Sequence, residues 1–252
     1  MAGRDTHQRF DESRSRETSA VAAYAAQKGW RIGRRNLLVE GTLDVAYFEL
    51  AASLFAKHCG QQLLDDQFRV VAAGLYGDGG VRGVIREMLS LHGRAESDSA
   101  LPKSTRIRML PVFDDDAAGR RCFNKLTDVD FPFRPYRDVF LLHRAYPNLK
   151  LGSDSYHDAV RRVNLEWRGL DCEIEDLLGR ELLDGFCNQR TDALTAPPSR
   201  SGSGHHYEFR GNCKGDLCKY VFQRAGLSDV VGLVKTLQYF LGLFELPVGP
   251  EM

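Results

Sequence analysis

The sequence predicts an α/β fold, in which a Rossmann-like parallel sheet is flanked by helices and followed by a helical C-terminal extension. Four short apolar runs alternate with amphipathic helical patterns, which is typical of βαβ units. Two of the runs end on an acidic residue, Glu40 and Asp114. Because ligands bind outside the carboxyl ends of the strands in open α/β sheets, we expect the chemistry at these two residues. The four predicted strands are 36–40, 68–73, 107–113 and 138–143.

The segments around these strands carry helical patterns. Ala-rich sequence before Gly29 predicts a short first helix, and a glycine-rich stretch precedes the helix that follows the second strand. A Pro/Ser/Gly-rich stretch from Thr191 predicts a flexible loop. The glycines of the earlier stretch are Gly74, Gly77, Gly79 and Gly80. The predicted helices are 17–28, 42–58, 81–92, one starting near Ala117, 214–225 and 228–244.

The composition is that of a globular chain and excludes several classes of protein. The 252 residues include 34 Lys and Arg against 34 Asp and Glu, so the net charge of zero argues against bulk basic binding of nucleic acid. No apolar run reaches the roughly 20 residues of a membrane span, and no signal peptide is visible, so we expect a cytoplasmic protein with no membrane contact. The six cysteines have no disulfide-framework spacing. A zinc site at His205, His206, Cys213 and Cys218 is the less favoured reading of an irregular spacing.

The first acidic cluster follows the first predicted strand. Glu40 ends the strand, Gly41 allows a tight turn, and Asp44 falls in the first turn of the next helix. Both carboxylates can therefore point into one pocket. The alternative is that Asp44 only complements the helix N-terminus, which is a common arrangement.

The second acidic cluster, DDDAAG over 114–119, follows the third predicted strand. Side chains alternate in direction on an extended segment, so Asp114 and Asp116 are expected on one side and Asp115 on the other. Two carboxylates held this close repel each other unless a cation or a proton intervenes. Oxygen ligands of this kind suit Mg²⁺. A lone DxD is usually a solvated turn, but a second acidic strand end beside it favours the metal site.

These two clusters, in this order, resemble the motifs of the Toprim domain. Glu40-Gly41 with Asp44 is similar to its first motif, and Asp114-x-Asp116-x-Ala-Gly is similar to its DxDxAG motif. Toprim is the metal-binding catalytic domain of primases, topoisomerases, small ribosomal-RNA maturases and overcoming-lysogenisation-defect (OLD) nucleases. The resemblance covers about 35–145. It implies four segments: a charged N-terminal segment with a short helix over 1–34, a Toprim catalytic domain over 35–190, the flexible loop over 191–206, and a helical extension over 207–252 that completes the active site.

A third cluster narrows the resemblance to the OLD nucleases. Glu173 and Glu175 form a Glu-x-Glu pair that faces one side if the segment is extended, and Lys214 begins a helix after the loop. The OLD pattern likewise has a Glu-x-Glu that supplies a second metal site, followed by a Lys. The alternative interpretation is that Glu173 and Glu175 belong to a polar surface segment and that Lys214 is an ordinary helix residue.

The resemblance implies a two-metal phosphodiester cleavage with Mg²⁺ or Mn²⁺. Glu40, Asp114 and Asp116 are expected to hold one ion, and Glu173 and Glu175, with or without Asp44, to hold or orient the second; which carboxylate binds which ion stays open. Lys214 is expected to neutralise charge in the transition state. The catalytic residues are thus Glu40 and Lys214. Basic residues expected to contact nucleic acid are Arg35, Arg120 and Arg121.

The missing motifs also bear on function. The chain has no G-x-x-x-x-G-K-[ST] P-loop, so the resemblance implies a nuclease that works with a separate ATPase in a bacterial anti-phage system; a homo-oligomer stays open. The alternatives are a Toprim ribonuclease for tRNA or rRNA and a non-catalytic, acidic-pocket partner subunit of an ATPase. A receiver-like domain gives the Glu pair no role. A haloacid-dehalogenase-like phosphatase requires its DxD after the first strand.

Overall fold

A four-stranded parallel sheet forms the centre of the molecule in a computed structural model, which describes residues 19–74, 79–128, 133–147 and 156–250. The strand order is β2-β1-β3-β4, and all three pairings are parallel. The predicted α/β class with a parallel sheet flanked by helices is therefore confirmed. The strands of this sheet are β1 (Arg35–Val39), β2 (Phe68–Ala72), β3 (Arg108–Phe113) and β4 (Phe140–Leu141).

Helices connect and cover these strands. The helices are α1 (Ala20–Gln27), α2 (Thr42–Cys59), α3 (Gly80–Ser97), α4 (Ala117–Leu126), α5 (Tyr156–Val163), α6 (Arg180–Gln189), α7 (Gly211–Arg224) and α8 (Val231–Leu243). Because parallel crossovers are right-handed, α2 and α3 lie on opposite faces of the sheet. On one face, α7 and α8 pack against α2. On the other face, α1 and α4 pack against α3.

The hydrophobic core is continuous from the sheet into the C-terminal helices. Leu37 and Leu38 of β1 are fully buried, and so are Leu237 and Phe240 of α8. These residues belong to one cluster of buried side chains. The helical extension predicted over 207–252 thus shares its core with the sheet. Among the described residues, no helix is long and apolar enough to cross a bilayer.

Three element predictions differ from the structure. Within the predicted flexible loop over 191–206, an antiparallel hairpin forms, with β5 (Ser199–Ser201) and β6 (Gly204–His206), so that prediction is wrong in part. The fourth strand is shorter than predicted and α3 is longer. Residues 1–18 of the predicted charged N-terminal segment, and Gly77, lie outside the described residues.

The strand order determines where a ligand can bind. The chain leaves β1 towards β2 on one side, and then crosses over to β3 on the other side of β1. The carboxyl ends of β1 and β3 therefore form the point at which the winding reverses, which is where open α/β sheets bind their ligands. Glu40 and Asp114 follow these two strands.

Candidate functional site

Glu40 and Asp114 meet at the reversal point of the sheet. The backbone N–H of Asp114 donates to Oε1 of Glu40 at 3.2 Å. The carbonyl oxygen of Glu40 in turn accepts from the N–H of Gly80, at 3.1 Å. A Cβ at Gly79 would lie 2.4 Å from that carbonyl oxygen, so the glycine there permits the close approach of the backbone. The first two acidic clusters are thus joined by direct contact.

Asp44 has the helix-terminal role and also lies in the acidic cluster. Its carboxylate accepts from the N–H of Gly41 at 2.8 Å, which complements the start of α2. Burial raises the pKa of Asp44 to about 6; the nearby Lys214 lowers it and the Glu173 charge raises it. Both sequence readings of Asp44 therefore apply to the same side chain.

The three consecutive aspartates separate as alternation predicts. Asp114 belongs to the acidic cluster, and Asp116 accepts from the N–H of Gly119 at 2.6 Å, which caps α4. Asp115 points the other way and pairs with Arg120, Nη1 to Oδ1, at 2.9 Å. A Cβ at Gly119 would lie 1.9 Å from the carbonyl oxygen of Asp114, so only glycine fits there. This contact is a physical reason for the glycine that ends the DDDAAG segment.

The third acidic segment reaches the first two through a short bridge. Asp115 and Cys172 exchange two backbone hydrogen bonds, at 2.9 and 3.1 Å, as an isolated antiparallel bridge. Glu173 follows the bridge and precedes a single turn of 3-10 helix, Ile174–Leu177, which contains Glu175. The Glu pair is therefore not on an extended segment, and the predicted reason for its shared direction is wrong.

Lys214 brings the two glutamates together. Its Nζ donates to Oε2 of Glu173 at 2.7 Å, and lies 3.4 Å from Oε1 of Glu175. Burial disfavours the ammonium, but the charges of Glu175 and Glu173 outweigh it and raise the pKa of Lys214 above its ordinary value. Lys214 therefore stays charged at neutral pH, and the α7 helix supplies a cation to the acidic cluster.

The acidic cluster contains more carboxylates than cations, and the pKa values of several of its carboxyl groups are raised. Burial, with repulsion from neighbouring carboxylates, raises the pKa of Glu40 to about 7. For Glu175 burial raises the pKa to about 7 even though Lys214 opposes it. The pKa of Asp114 is raised well above its ordinary value by burial and by the charges of Asp44 and Glu40. Six carboxylates and one ammonium thus share this edge of the sheet: Glu40, Asp44, Asp114, Asp116, Glu173, Glu175 and Lys214.

The carboxylates do not form a ready-made coordination shell. Within the part of the chain that the structure describes, no group of three or more His, Cys, Asp or Glu side chains is placed to hold a metal ion. The oxygens engage backbone N–H groups and Lys214 instead. The described residues form no zinc site either: His206 bonds to Asp176 at 2.7 Å, and Cys213 and Cys218 are buried.

Of the three arginines predicted to contact nucleic acid, only Arg121 is exposed, and it follows Asp116 on α4. Arg35 lies at the amino end of β1 and donates to the carbonyl oxygens of Arg34 and Arg106, at 3.3 and 3.1 Å. Five residues of strand, roughly 16 Å, separate it from Glu40. Arg35 therefore lies too far from Glu40 to contact a phosphate held there, and its contact with nucleic acid stays a prediction. Arg120 is held by Asp115 and by Asp171, the latter at 2.6 Å.

Asp176 supports the site and was missed from the sequence. Its side chain is fully buried and accepts from the N–H of Glu173 at 2.9 Å, from Nδ1 of His206 at 2.7 Å and from the N–H of Tyr207 at 3.2 Å. Arg144 adds an ion pair at 3.5 Å. Asp176 therefore ties the Glu pair to hairpin β5–β6. The signal for it was the Glu-x-x-Asp spacing of a helix-capping pair, which the Glu-x-Glu reading obscured.

Fold and site together define an α/β protein with an acidic site at the reversal point of a parallel sheet. The chain matches no protein-family model, and it has no significant similarity to a curated protein or to a solved structure.

Proposed function

We propose that the protein is a divalent-metal-dependent endonuclease of Toprim type, similar to the OLD nucleases, which hydrolyses phosphodiester bonds in nucleic acid. The observation that carries the proposal is the meeting of carboxylates from three separate segments with one partly buried ammonium. Burial and mutual repulsion destabilise the ionised form of several of these carboxylates, as their raised pKa values show. Carboxylates with such perturbed pKa values are typical of functional sites. The motif order Glu40, DDDAAG, Glu-x-Glu and Lys214 gives the reaction class.

The donor set fits Mg²⁺ or Mn²⁺. All six candidate ligands offer carboxylate oxygens, which hard divalent cations prefer over nitrogen or sulfur. Two ions, when bound, would generate the nucleophile and neutralise both reacting oxygens. Glu40, Asp114 and Asp116 would hold one ion. Glu173 and Glu175, with or without Asp44, would hold or orient the second.

The chain itself supplies positive charge and fixed geometry. Lys214 is charged at neutral pH and lies within hydrogen-bond reach of Glu173. In the proposed enzyme, this ammonium faces a non-bridging phosphate oxygen and stabilises the charge that grows on it. Gly79 and Gly119 let the backbones of the acidic turns approach closely, so that the carboxylates are held before substrate arrives.

The cellular role follows only from the family resemblance. We propose a cytoplasmic nuclease effector of a bacterial anti-phage defence system, which acts with a separate ATPase subunit and either alone or as a homo-oligomer. The same metal chemistry would serve a ribonuclease of tRNA or rRNA. A non-catalytic partner subunit of an ATPase is the remaining alternative.

Cleavage assays separate these functions. Wild type and Glu40→Ala are incubated with plasmid, linear DNA and total tRNA, with Mg²⁺, with Mn²⁺ or with EDTA. We expect metal-dependent cleavage by wild type and a loss of at least about 100-fold in the variant. Glu49→Ala is the matched control, since Glu49 is exposed on α2. Cleavage of tRNA alone would select the ribonuclease. No cleavage and no Mg²⁺ or Mn²⁺ binding in calorimetry would leave only the partner subunit.

A further inference from the structure

A cavity of about 460 Å³ opens on the reverse side of the aspartate turn. We call it the arginine pocket, since four arginines line it. Its volume falls within the roughly 300–1,000 Å³ range of small-molecule sites. Asp115, which alone of the three consecutive aspartates points away from the acidic cluster, is the only carboxylate among the described residues that line the pocket. The four arginines are Arg120, Arg144, Arg161 and Arg168.

The four arginines divide into two that are engaged and two that are not. Arg120 pairs with Asp115 and Asp171, and Arg144 with Asp176. By contrast, the exposed side chains of Arg161 and Arg168 make no hydrogen bond or ion pair with any other described residue. These two guanidiniums are therefore available to a ligand, and planar guanidiniums favour phosphate oxygens.

An aromatic ring and an aliphatic side chain line the pocket together with the two available arginines. Trp167 lines the pocket, and its indole N–H donates to Oγ of Ser203 at 3.3 Å. A Cβ at Gly204 would lie 2.4 Å from Cδ1 of Trp167, so β6 packs tightly against the ring and fixes its position. Leu165, which is 59% exposed, lies beside it. A fixed aromatic ring beside unpaired arginines is the arrangement that holds a nucleobase and its phosphate.

We propose that the arginine pocket binds one nucleotide of a single nucleic-acid strand. Arg161 and Arg168 contact its phosphates, and the base stacks on Trp167 beside Leu165. The pocket is a separate site from the acidic cluster and its binding needs no metal ion, so the inference goes beyond the proposed hydrolysis. Asp115 lines the pocket, whereas its sequence neighbours Asp114 and Asp116 belong to the acidic cluster, so the two sites lie on opposite sides of the aspartate turn over 114–116.

Binding measured in EDTA tests this pocket independently of cleavage. Fluorescence anisotropy of a labelled single-stranded oligonucleotide of about 12 nucleotides gives the dissociation constant, a length chosen to exceed the pocket. We expect Arg161→Gln/Arg168→Gln to weaken binding by about tenfold or more, and to reduce the slope against log salt by about 1.4, the value for two lost phosphate contacts on a single strand. Arg162→Gln is the matched control, because Arg162 is the next residue on α5, exposed, and outside the pocket lining.

The tryptophan provides a second readout. We expect the oligonucleotide to quench the intrinsic fluorescence of wild type, and Trp167→Phe to lose most of that quenching, since the other tryptophan, Trp30, lies outside the pocket. Circular dichroism confirms that each variant is folded. Equal affinity of Arg161→Gln/Arg168→Gln and Arg162→Gln would overturn the proposal, and so would quenching that survives in Trp167→Phe.

Two competition experiments distinguish a nucleic-acid strand from a free nucleotide as the ligand. AMP and inorganic phosphate are added as competitors of the labelled strand. We expect AMP to compete only at concentrations far above the dissociation constant of the strand, and phosphate more weakly still. If AMP competes as well as the strand does, the ligand is a free nucleotide and the assignment to a strand is wrong. Because binding is measured in EDTA, it requires neither a metal ion nor cleavage, so a failure of the nuclease proposal would not change the interpretation of this result.

Discussion

Neutralising Glu40 is expected to stabilise the metal-free protein at alkaline pH. Burial and the charges around it raise the pKa of Glu40 from 4.5 to about 7. A carboxyl with a raised pKa in the folded state binds its proton more tightly there than in the unfolded chain. Between pH 4.5 and about 7 the folded state therefore holds more protons, and the free energy of unfolding falls as the pH rises.

The size of this effect follows from the shift. At about 1.4 kcal/mol per pKa unit, Glu40 accounts for at most about 3 kcal/mol across that window. Because Asp44 and Asp116 share the repulsion, we expect about 2 kcal/mol for the single change. Gln at this position keeps an oxygen that can accept from the N–H of Asp114, so the local hydrogen bond survives.

Urea unfolding in EDTA at several pH values between 5 and about 8 measures the difference in the free energy of unfolding between Glu40→Gln and wild type. Glu40→Gln should match wild type near pH 5 and exceed it by about 2 kcal/mol near pH 8. Glu49→Gln, an exposed change on α2, should follow wild type at every pH. Parallel pH profiles for wild type and Glu40→Gln, or a wild-type stability that rises from pH 5 to 8, would refute the reasoning.

Three other predictions concern the same edge of the sheet. Lys214→Met leaves Glu173 and Glu175 without their cation. In urea titrations at about pH 8 in EDTA it should therefore lower the free energy of unfolding by about 3 kcal/mol. Lys214→Arg keeps a cation at this position and should restore part of that free energy. Gly119→Ala should lower the melting temperature in calorimetry, at a cost of about 1–3 kcal/mol, because its Cβ meets a carbonyl oxygen at 1.9 Å; Gly215→Ala, with open space at its Cβ, should not. Mg²⁺ at about 100 times its dissociation constant should stabilise wild type by about 2.7 kcal/mol in thermal unfolding, and Asp114→Asn much less; equal stabilisation of both would contradict binding at this site.

The strand ends and the first two acidic clusters could be predicted from the sequence because the signals are local. An apolar run that ends on an acid places that acid at one edge of a parallel sheet, whatever the rest of the chain does. Alternation likewise gave the opposite directions of Asp114 and Asp115. Neither inference requires knowledge of a distant residue.

The features that the sequence did not reveal depend on distant partners or on ambiguous composition. Arg35 is next to a strand in sequence, but adjacency does not say that it lies at the end remote from Glu40. Arg120 is engaged by Asp171, which is 51 residues away. Gly and Ser are as typical of a hairpin turn as of a flexible linker, and Gly202, with φ +55°, is the turn residue that the linker reading missed.

One backbone bridge accounts for the separation of charge in a chain whose formal charges sum to zero. The bridge between Asp115 and Cys172 delivers Glu173 to the acidic side of the aspartate turn. The same Asp115 points to the other side, where it pairs with Arg120 and with Nδ1 of His143 at 3.2 Å. Burial works against its charge, but these hydrogen bonds hold the pKa of Asp115 below its ordinary value, so it remains ionised where its neighbour Asp114 is prone to protonate. The acidic cluster and the arginine pocket therefore lie on opposite sides of a single extended strand end, and a change that breaks this bridge should disturb both at once.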